Sequence, residues 1–346
     1  MHSESTATPS LVQGRSEPAS AVEAEGLGPT PGHPWAIILA GGEGRRLRGL
    51  VRRLMGADLP KQYCAVIGRR SMLQHTLDRV ATLIPRDRIL TVITRGHTEL
   101  ALKQLRTLAP EQLLIQPCNR DTAPGLLLPL LYIRARDPAA TVAIFPSDHF
   151  ILEEAVFMGY IRQAVHFLRD HGDRLLLLGI GPDRPEPAYG WIEPGAKLAQ
   201  HAGYGFFGVR QFWEKPATSV AEQLFEQGCL WNSLVLVGRL ATFLECFRQG
   251  LPMLWARFQS VGGALGASGE AAALEDVYHS LPAVNLSRDL LERIPHRLGV
   301  MPVMGVHWSD WGDEARIVET LARIGKADEF RGRLGRSGAC PEEEAA

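Results

Sequence analysis

Short apolar runs alternate along this chain with longer stretches in which apolar residues recur at helical spacing. The runs occupy residues 35–39 (WAIIL), 89–93 (ILTVI), 113–116 (LLIQ), 141–145 (TVAIF) and 175–180 (LLLLGI). Runs of this length without polar alternation are typical of strands buried on both faces of a parallel sheet. Residues 71–84 and 154–168 each place apolar side chains on one helix face: Leu73, Leu77, Val80 and Ile84, then Val156, Tyr160, Ala164 and Leu168. This alternation predicts an α/β fold, with a mostly parallel sheet flanked by helices.

The pattern changes at both ends of the chain and again in its second half. The first 34 residues are rich in Ser, Thr, Ala, Glu, Gly and Pro, and the last stretch is also poor in apolar residues. We therefore expect a disordered arm at 1–34 and a disordered tail at 327–346, around one domain at 35–326. From about residue 186 onward, Gly, Pro and Trp are more frequent. This shift predicts a first half at 35–185 and a second half at 186–326 that covers one end of the sheet.

Composition and charge narrow the class of protein. The chain has 346 residues, 45% of them hydrophobic, with 37 Lys and Arg against 38 Asp and Glu. The chain therefore has no excess of basic residues, which proteins that bind nucleic acid or membrane surfaces usually have. No apolar run reaches the roughly 18 residues that a membrane span requires. The five cysteines are scattered, without a C-x-x-C pair, which is typical of a reducing compartment. We expect a cytoplasmic protein without nucleic acid or membrane partners. The composition does not decide whether the chain forms a homo-oligomer.

The first apolar run leads directly into a glycine-rich segment, Ala40-Gly-Gly-Glu-Gly-Arg-Arg-Leu47. In a strand-to-helix turn, glycines let backbone N–H groups approach an anion that the helix N-terminus also favours. The segment is neither a dinucleotide fingerprint nor a P-loop, because Leu47 replaces the third glycine and no Gly-Lys-Ser/Thr follows. Five arginines lie between positions 45 and 53. A phosphate-binding loop explains this charge, and a structural turn with a solvated basic helix is the alternative.

Other polar segments are weaker signals when each is taken alone. Asp148, in Pro146-Ser-Asp-His149, follows the run at 141–145 and could hold Mg²⁺ at a strand's carboxyl end, or else cap the next helix. Lys61, in LPKQ, is by itself typical of a surface residue. The segments 189–192, 213–216, 231–233 and 308–312 combine Trp or Tyr with Asn, Glu, Asp and Gly. They suit a pocket for a polyol, or simply core packing and turns.

Taken in order, these segments resemble motifs of the sugar-nucleotide pyrophosphorylases, and specifically of bacterial mannose-1-phosphate guanylyltransferases. The family patterns L-A-G-G-x-G-x-R-L and P-K-Q stand at 39–47 and 60–62, and N-T-A-P appears as Asp121-Thr-Ala-Pro124. P-S-D-H, Y-G-x-I, E-K-P, W-N-S and W-x-D-x-G stand at 146–149, 189–192, 214–216, 231–233 and 308–312. The resemblance implies a Rossmann-like sheet of the nucleotide-diphospho-sugar transferase fold. It also implies that the first half binds the nucleotide, while the second binds the sugar and completes the metal site.

The resemblance also implies residue roles. Arg46, Lys61 and Asp148 would be catalytic, and Asp148 and Asp310 would hold Mg²⁺. The nucleotide-binding set would be Leu39, Ala40, Gly41, Gly42, Gly44, Arg45, Gln116, Thr122, Ala123 and Pro124, with the three glycines at the phosphates and the last four residues at the base and ribose. The sugar and its phosphate would lie against Gly190, Glu214, Lys215 and Asn232. Two positions depart from the family pattern: Arg45 replaces Thr or Ser, and Gly49 replaces Pro.

The implied reaction is attack of mannose 1-phosphate on the α-phosphorus of GTP, which gives GDP-mannose and pyrophosphate. Because the nucleophile is already an anion, catalysis would consist of alignment and charge neutralisation. Three alternatives stay open: the same reaction with another nucleotide and sugar 1-phosphate, a catalytically silent homologue that binds a sugar nucleotide and regulates a partner, and a glycosyltransferase.

Overall fold

The computed structural model describes residues 33–336. Its strands are β1 (Trp35–Leu39), β2 (Ile89–Thr94), β3 (Leu113–Gln116), β4 (Thr141–Pro146), β5 (Phe150–Ile151), β6 (Leu175–Ile180), β7 (Gly190–His201), β8 (Tyr204–Glu214), β9 (Leu230–Arg239), β10 (Leu298–Val303) and β11 (Trp308–Ser309). Its helices are α1 (Arg48–Met55), α2 (Met72–Ala81), α3 (Thr98–Gln104), α4 (Thr122–Arg136), α5 (Glu154–Phe167), α6 (Thr218–Glu226), α7 (Leu240–Gly250), α8 (Pro252–Ala264), α9 (Glu270–Ser280), α10 (Leu286–Asp289), α11 (Glu314–Arg323) and α12 (Ala327–Arg336).

Within these residues, nine strands form one sheet in the order β3-β2-β1-β4-β9-β6-β10-β8-β7. The strands β1 to β4 pair in parallel, as do β6 and β10, while β9 and β8 run against their neighbours. Seven of the nine strands therefore point the same way, which confirms the predicted mostly parallel sheet. Because β9 lies between β4 and β6, the two predicted halves share this sheet and are not separate layers.

Burial explains why the apolar runs form its centre. In β1, Ile37 contacts the core on one face of the sheet, while Ala36 and Ile38 contact the core on the other. Helices cover both faces, so the strands carry no polar alternation. The predicted helices at 71–84 and 154–168 form as α2 and α5. Val156 is the exception to the predicted apolar faces: it is exposed, and Phe157 is buried in its place.

The prediction of a disordered tail at 327–346 is wrong for its first part, because residues 327–336 form α12. Phe330 is buried in a third apolar cluster with residues of α1 and α11, and Arg333 donates hydrogen bonds to the carbonyl oxygens of Ala65 and Val66 at 2.6 and 2.9 Å. Two apolar residues four positions apart, Phe330 and Leu334, suffice for one short helix face. Residues 1–32 of the predicted arm and 337–346 of the tail lie outside the described residues.

Across the part of the chain that the structure describes, no helix combines the length and apolar character needed to cross a membrane.

Candidate active site

A cleft of about 930 Å³ opens at the carboxyl ends of β1 and β4 and extends past the start of β7 to the end of β8. Ligands of such sheets bind at this edge, outside the carboxyl ends of the strands. The predicted site residues that line the cleft are Leu39, Gly41, Gly42, Gly44, Arg45, Arg46, Lys61, Gln116, Thr122, Asp148, Gly190, Glu214, Lys215, Asn232 and Asp310. Residues spread over some 270 positions of sequence thus meet at one surface.

Three predicted residues, Ala40, Ala123 and Pro124, are not part of the cleft wall. Ala40 is fully buried, and its N–H continues the β1–β2 ladder by donating to the Val92 carbonyl at 2.8 Å. Ala123 is also fully buried and donates its N–H to the Val284 carbonyl at 3.0 Å. These residues support the wall from behind, and the structure gives them no direct access to a ligand.

The glycine loop after β1 depends on small residues at two positions. Gly44 has a φ of +59°, and a Cβ there would lie 2.7 Å from the backbone nitrogen of Lys61. At Gly41 a Cβ would lie 3.0 Å from Nε2 of Gln116. Gly42 has open space on the side where a Cβ would project. The loop therefore passes close to two predicted site residues and leaves its middle open to the cleft.

Gln62 holds this loop in place. Its buried side-chain Nε2 donates hydrogen bonds to the carbonyl oxygens of Ala40 at 2.9 Å and Gly42 at 2.8 Å. Both carbonyl oxygens are thereby bonded within the protein, which fixes the path of the loop along the cleft wall.

Lys61 is buried at the floor of the cleft, contrary to the surface position that its sequence context alone suggests. Its Nζ lies 3.0 Å from Oδ2 of Asp148 and donates to the backbone carbonyls of Asp310 and, at 3.2 Å, Trp311. A buried ammonium group needs such partners to offset its lost hydration. Lys61 thus joins the two predicted metal aspartates, which are 162 positions apart in the sequence.

The two oxygens of the Asp310 carboxylate have different partners. Oδ1 accepts hydrogen bonds from the Tyr189 hydroxyl at 2.5 Å and from the Gly312 N–H at 2.8 Å. Oδ2 lies 3.7 Å from Nη2 of Arg46. One oxygen is therefore fixed by the protein, and the other faces the arginine that follows the glycine loop.

Asp148 is the more open of the two carboxylates. Burial by itself would raise its pKa, but the net shift is downward, and the charge of Lys61 is the largest contribution in that direction. Burial and the nearby Lys61 lower the pKa of His149, although Asp148 opposes them. The indole N–H of Trp308 donates to Nδ1 of His149 at 3.3 Å, which leaves the ring proton on Nε2, 3.9 Å from Asp148 Oδ1. Asp148 is thus ionised beside a neutral histidine.

The donor set fits Mg²⁺. Among residues 33–336, no group of three or more His, Cys, Asp and Glu side chains is arranged to hold a metal ion. Mg²⁺ commonly takes only one or two protein carboxylates and completes its shell with water and substrate phosphates. Asp148 and Asp310 both line the cleft and share Lys61 as a partner, so they can supply those two ligands.

Arg46 and Arg45 are the exposed cations at the cleft mouth. Arg46 contacts Asp310 only through the 3.7 Å ion pair, and Arg45 lies 3.9 Å from the carboxylate of Glu43. Each arginine therefore lies near one carboxylate, and both side chains are exposed enough to contact a polyphosphate.

The predicted base and ribose residues lie around the N-terminus of α4. Gln116 is buried, and its Oε1 accepts a hydrogen bond from the Tyr278 hydroxyl at 3.0 Å. Asp121 stands in place of the family's Asn. Its Oδ1 accepts hydrogen bonds from the backbone N–H of Thr122 at 2.6 Å and from the side-chain amide of Asn285 at 3.1 Å. These bonds fix Gln116 and Thr122 from behind.

At the far end of the cleft, a glycine lets two polar side chains approach each other. A Cβ at Gly190 would lie 2.9 Å from Oε2 of Glu214 and 3.1 Å from Cβ of Asn232. Burial raises the pKa of Glu214, although the charge of Lys215 and a hydrogen bond with Ser287 oppose this. A carboxylate and an amide side by side offer the acceptors and donors that several sugar hydroxyls require.

Backbone strain is concentrated at this cleft. Among residues 33–336, the non-glycine residues with positive φ are Asp121, Ala202, Lys215, Leu234 and Trp311, and all but Ala202 line the cleft. Such conformations cost about 1–3 kcal/mol each and persist where the surroundings over-determine them, often at functional sites.

Sequence reasoning missed several residues that shape the site. Gln62 and Tyr189 belong to the motifs P-K-Q and Y-G-x-I, and these motif positions could have identified them as site residues. Tyr278, on α9, has no such signal, because only the fold brings it to Gln116. Arg79 is also buried near the site: it donates to Thr76 Oγ1 at 3.1 Å, and burial lowers its pKa against the opposing charge of Glu154.

Comparison with known proteins agrees with this geometry. The profile of the Nucleotidyl transferase family matches residues 35–322. The xanthan biosynthesis protein XanB of Xanthomonas campestris pv. campestris (strain B100) is 29% identical over 300 residues, covering 86% of this chain and 61% of that protein. The mannose-1-phosphate guanylyltransferase of Escherichia coli (strain K12) is 27% identical over 304 residues, covering 86% and 62%. The chain thus spans about three fifths of the length of these curated relatives.

Solved structures show the same fold. A protein named mannose-1-phosphate geranyltransferase from Thermus thermophilus has a TM-score of 0.67 at 26% identity, covering 85% of this chain and 79% of that one. A mannose-6-phosphate isomerase from Helicobacter pylori, at 20% identity and a TM-score of 0.61 over 80% of this chain and 99% of that one, shows the fold alone. Because the family profile covers most of the chain and the cleft lies where the fold predicts, this chain belongs to the Nucleotidyl transferase family.

Proposed function

We propose that this protein transfers a nucleoside monophosphate from a nucleoside triphosphate to a sugar 1-phosphate, with GTP and mannose 1-phosphate as its substrates. The observation that carries the proposal is the meeting, in one cleft, of the glycine loop, Lys61 and the two aspartates with the Gly190, Glu214 and Asn232 cluster. The choice of GTP and mannose 1-phosphate is supported by relatives named mannose-1-phosphate guanylyltransferase.

In the proposed reaction, an oxygen of the sugar phosphate forms a bond to the α-phosphorus of the triphosphate. The bond from that phosphorus to the bridging oxygen breaks, and its electron pair leaves with pyrophosphate. The nucleophile is already an anion, so no strong base is required. The protein's part is to align two polyanions and offset their charge, which is how most of the barrier is lowered in phosphoryl-type transfers.

The residues of the chain divide this task. The glycine loop offers backbone N–H groups to the phosphates, and Arg46 at the cleft mouth adds a mobile positive charge. Lys61 supplies a fixed positive charge, and its contacts with Asp148 and the Asp310 carbonyl keep both aspartates at the floor. Mg²⁺, held by Asp148 and Asp310, would neutralise phosphate charge and orient the phosphate oxygens.

The proposed compartment is the cytoplasm. Cys64, Cys118, Cys229 and Cys246 are unpaired among the described residues, and three of them are buried, with thiol pKa values raised by burial to about 12 at Cys64 and Cys229 and about 11 at Cys246. Thiols of this kind are ordinary in a reducing compartment.

The test is a screen for pyrophosphate release, with the five common nucleoside triphosphates against a panel of sugar 1-phosphates in the presence of Mg²⁺. We expect the fastest release with GTP and mannose 1-phosphate. A clear preference for UTP or dTTP would contradict the substrate pair and leave the reaction class intact. No release with any pair would contradict the proposed reaction and favour a silent sugar-nucleotide-binding homologue.

A further inference from the structure

A polar and aromatic cluster lies beside Asp310 at the cleft wall and has no part in the machinery proposed above. Its central residue is Tyr189, whose hydroxyl donates to Oδ1 of Asp310 at 2.5 Å. The other carboxylate oxygen, Oδ2, is the one that lies near Arg46. A carboxylate with one oxygen bonded to a fixed donor can no longer exchange its two oxygens by rotation. The hydroxyl of Tyr189 and the N–H of Gly312, which donates to the same oxygen at 2.8 Å, therefore determine together which oxygen faces the cleft.

The ring of Tyr189 is clamped by aromatic neighbours. It packs edge-on against Trp231 with ring centres 5.0 Å apart and against Trp308 at 5.4 Å. The guanidinium carbon of Arg316 lies 4.6 Å from the centre of the Tyr189 ring, within the range of a cation–π contact. Contacts on several sides leave the ring a single position, and so they also determine the position of the hydroxyl.

Arg316 is itself held by acidic partners. It forms a partly buried ion pair with Glu186, in the segment before β7, and its Nε lies 3.5 Å from Oδ2 of Asp313 at the start of α11. The carbonyl of Glu186 also accepts the indole N–H of Trp191 at 2.9 Å. The segment that carries Tyr189 and the helix that follows Asp310 are thus connected through one arginine.

We propose that Tyr189 is a positioning residue for Asp310, with Arg316 holding the tyrosine ring so that its hydroxyl presents the free carboxylate oxygen to a divalent cation. The inference rests on the proposed function for the identity of the metal ligands. Partners that orient a metal ligand commonly change metal affinity by 10- to 100-fold when they are removed. Burial raises the pKa of Tyr189, and the charge of Asp310 raises it further, so the hydroxyl keeps the proton that it donates.

Tyr189→Phe separates positioning from packing, because phenylalanine keeps the ring that fills the aromatic cluster and contacts Arg316. The matched control is Tyr160→Phe. Tyr160 is 7% exposed against 6% for Tyr189, and its hydroxyl also makes two hydrogen bonds, with the backbone N–H and carbonyl of Met304 at 2.8 and 3.1 Å. Tyr160 does not line the cleft.

The experiment titrates the full-length protein with Mn²⁺ alone and follows the free ion by electron paramagnetic resonance. We expect the Mn²⁺ dissociation constant of Tyr189→Phe to rise about tenfold over wild type, and that of Tyr160→Phe to stay within twofold. In turnover assays, kcat of Tyr189→Phe should fall about tenfold, while KM for the sugar 1-phosphate stays within twofold. Arg316→Lys, which keeps the charge but loses the planar contact with the ring, should raise the dissociation constant by a smaller factor.

Unchanged Mn²⁺ binding in Tyr189→Phe would overturn the inference, as would an equal loss in Tyr160→Phe or a wild-type protein that binds no Mn²⁺. Wild-type protein that binds Mn²⁺ but releases no pyrophosphate with any substrate pair would refute the proposed function. In that case the tenfold loss of Mn²⁺ affinity in Tyr189→Phe would still support the positioning role.

Discussion

The cleft contains two lysine–carboxylate pairs, and they are built in opposite ways. Beside the glycine loop, Lys61 and Asp148 are 3.0 Å apart, with 7% of the lysine side chain and 37% of the aspartate side chain exposed. At the end of β8, Lys215 and Glu214 are 3.7 Å apart, with 60% of the lysine and 13% of the glutamate exposed. The buried partner is the cation in the first pair and the anion in the second.

This difference has electrostatic consequences. The pKa of Asp148 is lowered despite its burial, and the charge of the buried lysine is the largest contribution in that direction. The pKa of Glu214 is raised, since its own burial outweighs the exposed lysine. A buried charge is fixed in place and weakly screened, whereas an exposed charge is mobile and screened by water.

The two arrangements suit different tasks. A fixed cation with an accessible carboxylate provides a permanent electrostatic environment for a metal ion and a reacting phosphate. A shielded carboxylate with an accessible lysine suits recognition of a sugar and its phosphate, where the lysine reaches out to the anion. We therefore expect changes at the first pair to lower kcat, and changes at the second mainly to raise KM.

The largest effect is expected from Lys61→Met, which removes the buried charge and leaves Asp148 without its closest partner. We expect kcat to fall about 10³-fold, by analogy with the loss of a preorganised charge-stabilising donor. The matched change at the exposed lysine, Lys215→Met, should raise KM for the sugar 1-phosphate about tenfold and change kcat less than threefold. Steady-state kinetics of both variants test this, and equal effects on kcat would remove the distinction between the pairs.

The next effect concerns the two aspartates. Asp148→Asn and Asp310→Asn should each lower kcat at least about 10²-fold, since metal stabilisation of the transition state is worth several kcal/mol. The double variant should be little worse than either single one, because the residues act as a unit. The alternative role of Asp148 as a helix cap is wrong, because β5 follows it and α5 begins at Glu154 with Glu153 at its N-cap. Turnover of Asp148→Asn within threefold of wild type would contradict the proposed role as a metal ligand.

A smaller effect is expected in the glycine loop, and it is measured as stability. Gly44→Ala requires a positive φ of an alanine and brings its Cβ to 2.7 Å from the Lys61 nitrogen, so we expect the free energy of unfolding to fall by about 2 kcal/mol. The control is Gly42→Ala, because a Cβ there meets no atom within 4 Å. Urea denaturation should show a change below about 0.5 kcal/mol for the control. A similar loss in both variants would show that the contact with Lys61 is not the cause.

The smallest effect is a pH dependence that the raised pKa of Glu214 predicts. The pKa of Asp148 is lowered, so Glu214 takes up a proton before Asp148 does as the pH falls from 7. The carboxylate at the sugar-binding end of the cleft is therefore neutralised first. In wild type, KM for the sugar 1-phosphate should rise on acidification while kcat holds to lower pH. The substrate phosphate also titrates near pH 6, so the measurement is the ratio of KM between Glu214→Gln and wild type. A ratio that is constant across pH would contradict the role of Glu214.

The sequence alone predicted the layered fold, because buried parallel strands need uninterrupted apolar runs. The runs at 35–39, 113–116 and 175–180 are strands with those bounds. It also placed Asp148 at the carboxyl end of β4, since a strand end is a local feature. The helix α12 was missed because its apolar face is a single pair, Phe330 and Leu334, and their burial depends on α1 and α11.

The arrangement of the site was decided by the tertiary structure. Nothing local indicates that Lys61 is buried, because its burial comes from Asp148 and from the backbone at Asp310 and Trp311. Similarly, Tyr189 and Arg316 meet only when the segment before β7 packs against α11. A residue's type and neighbours along the chain determine its secondary structure and its chemistry. Its partners, and hence its charge state and orientation, depend on contacts between residues that are distant in sequence, and only the folded chain creates those contacts.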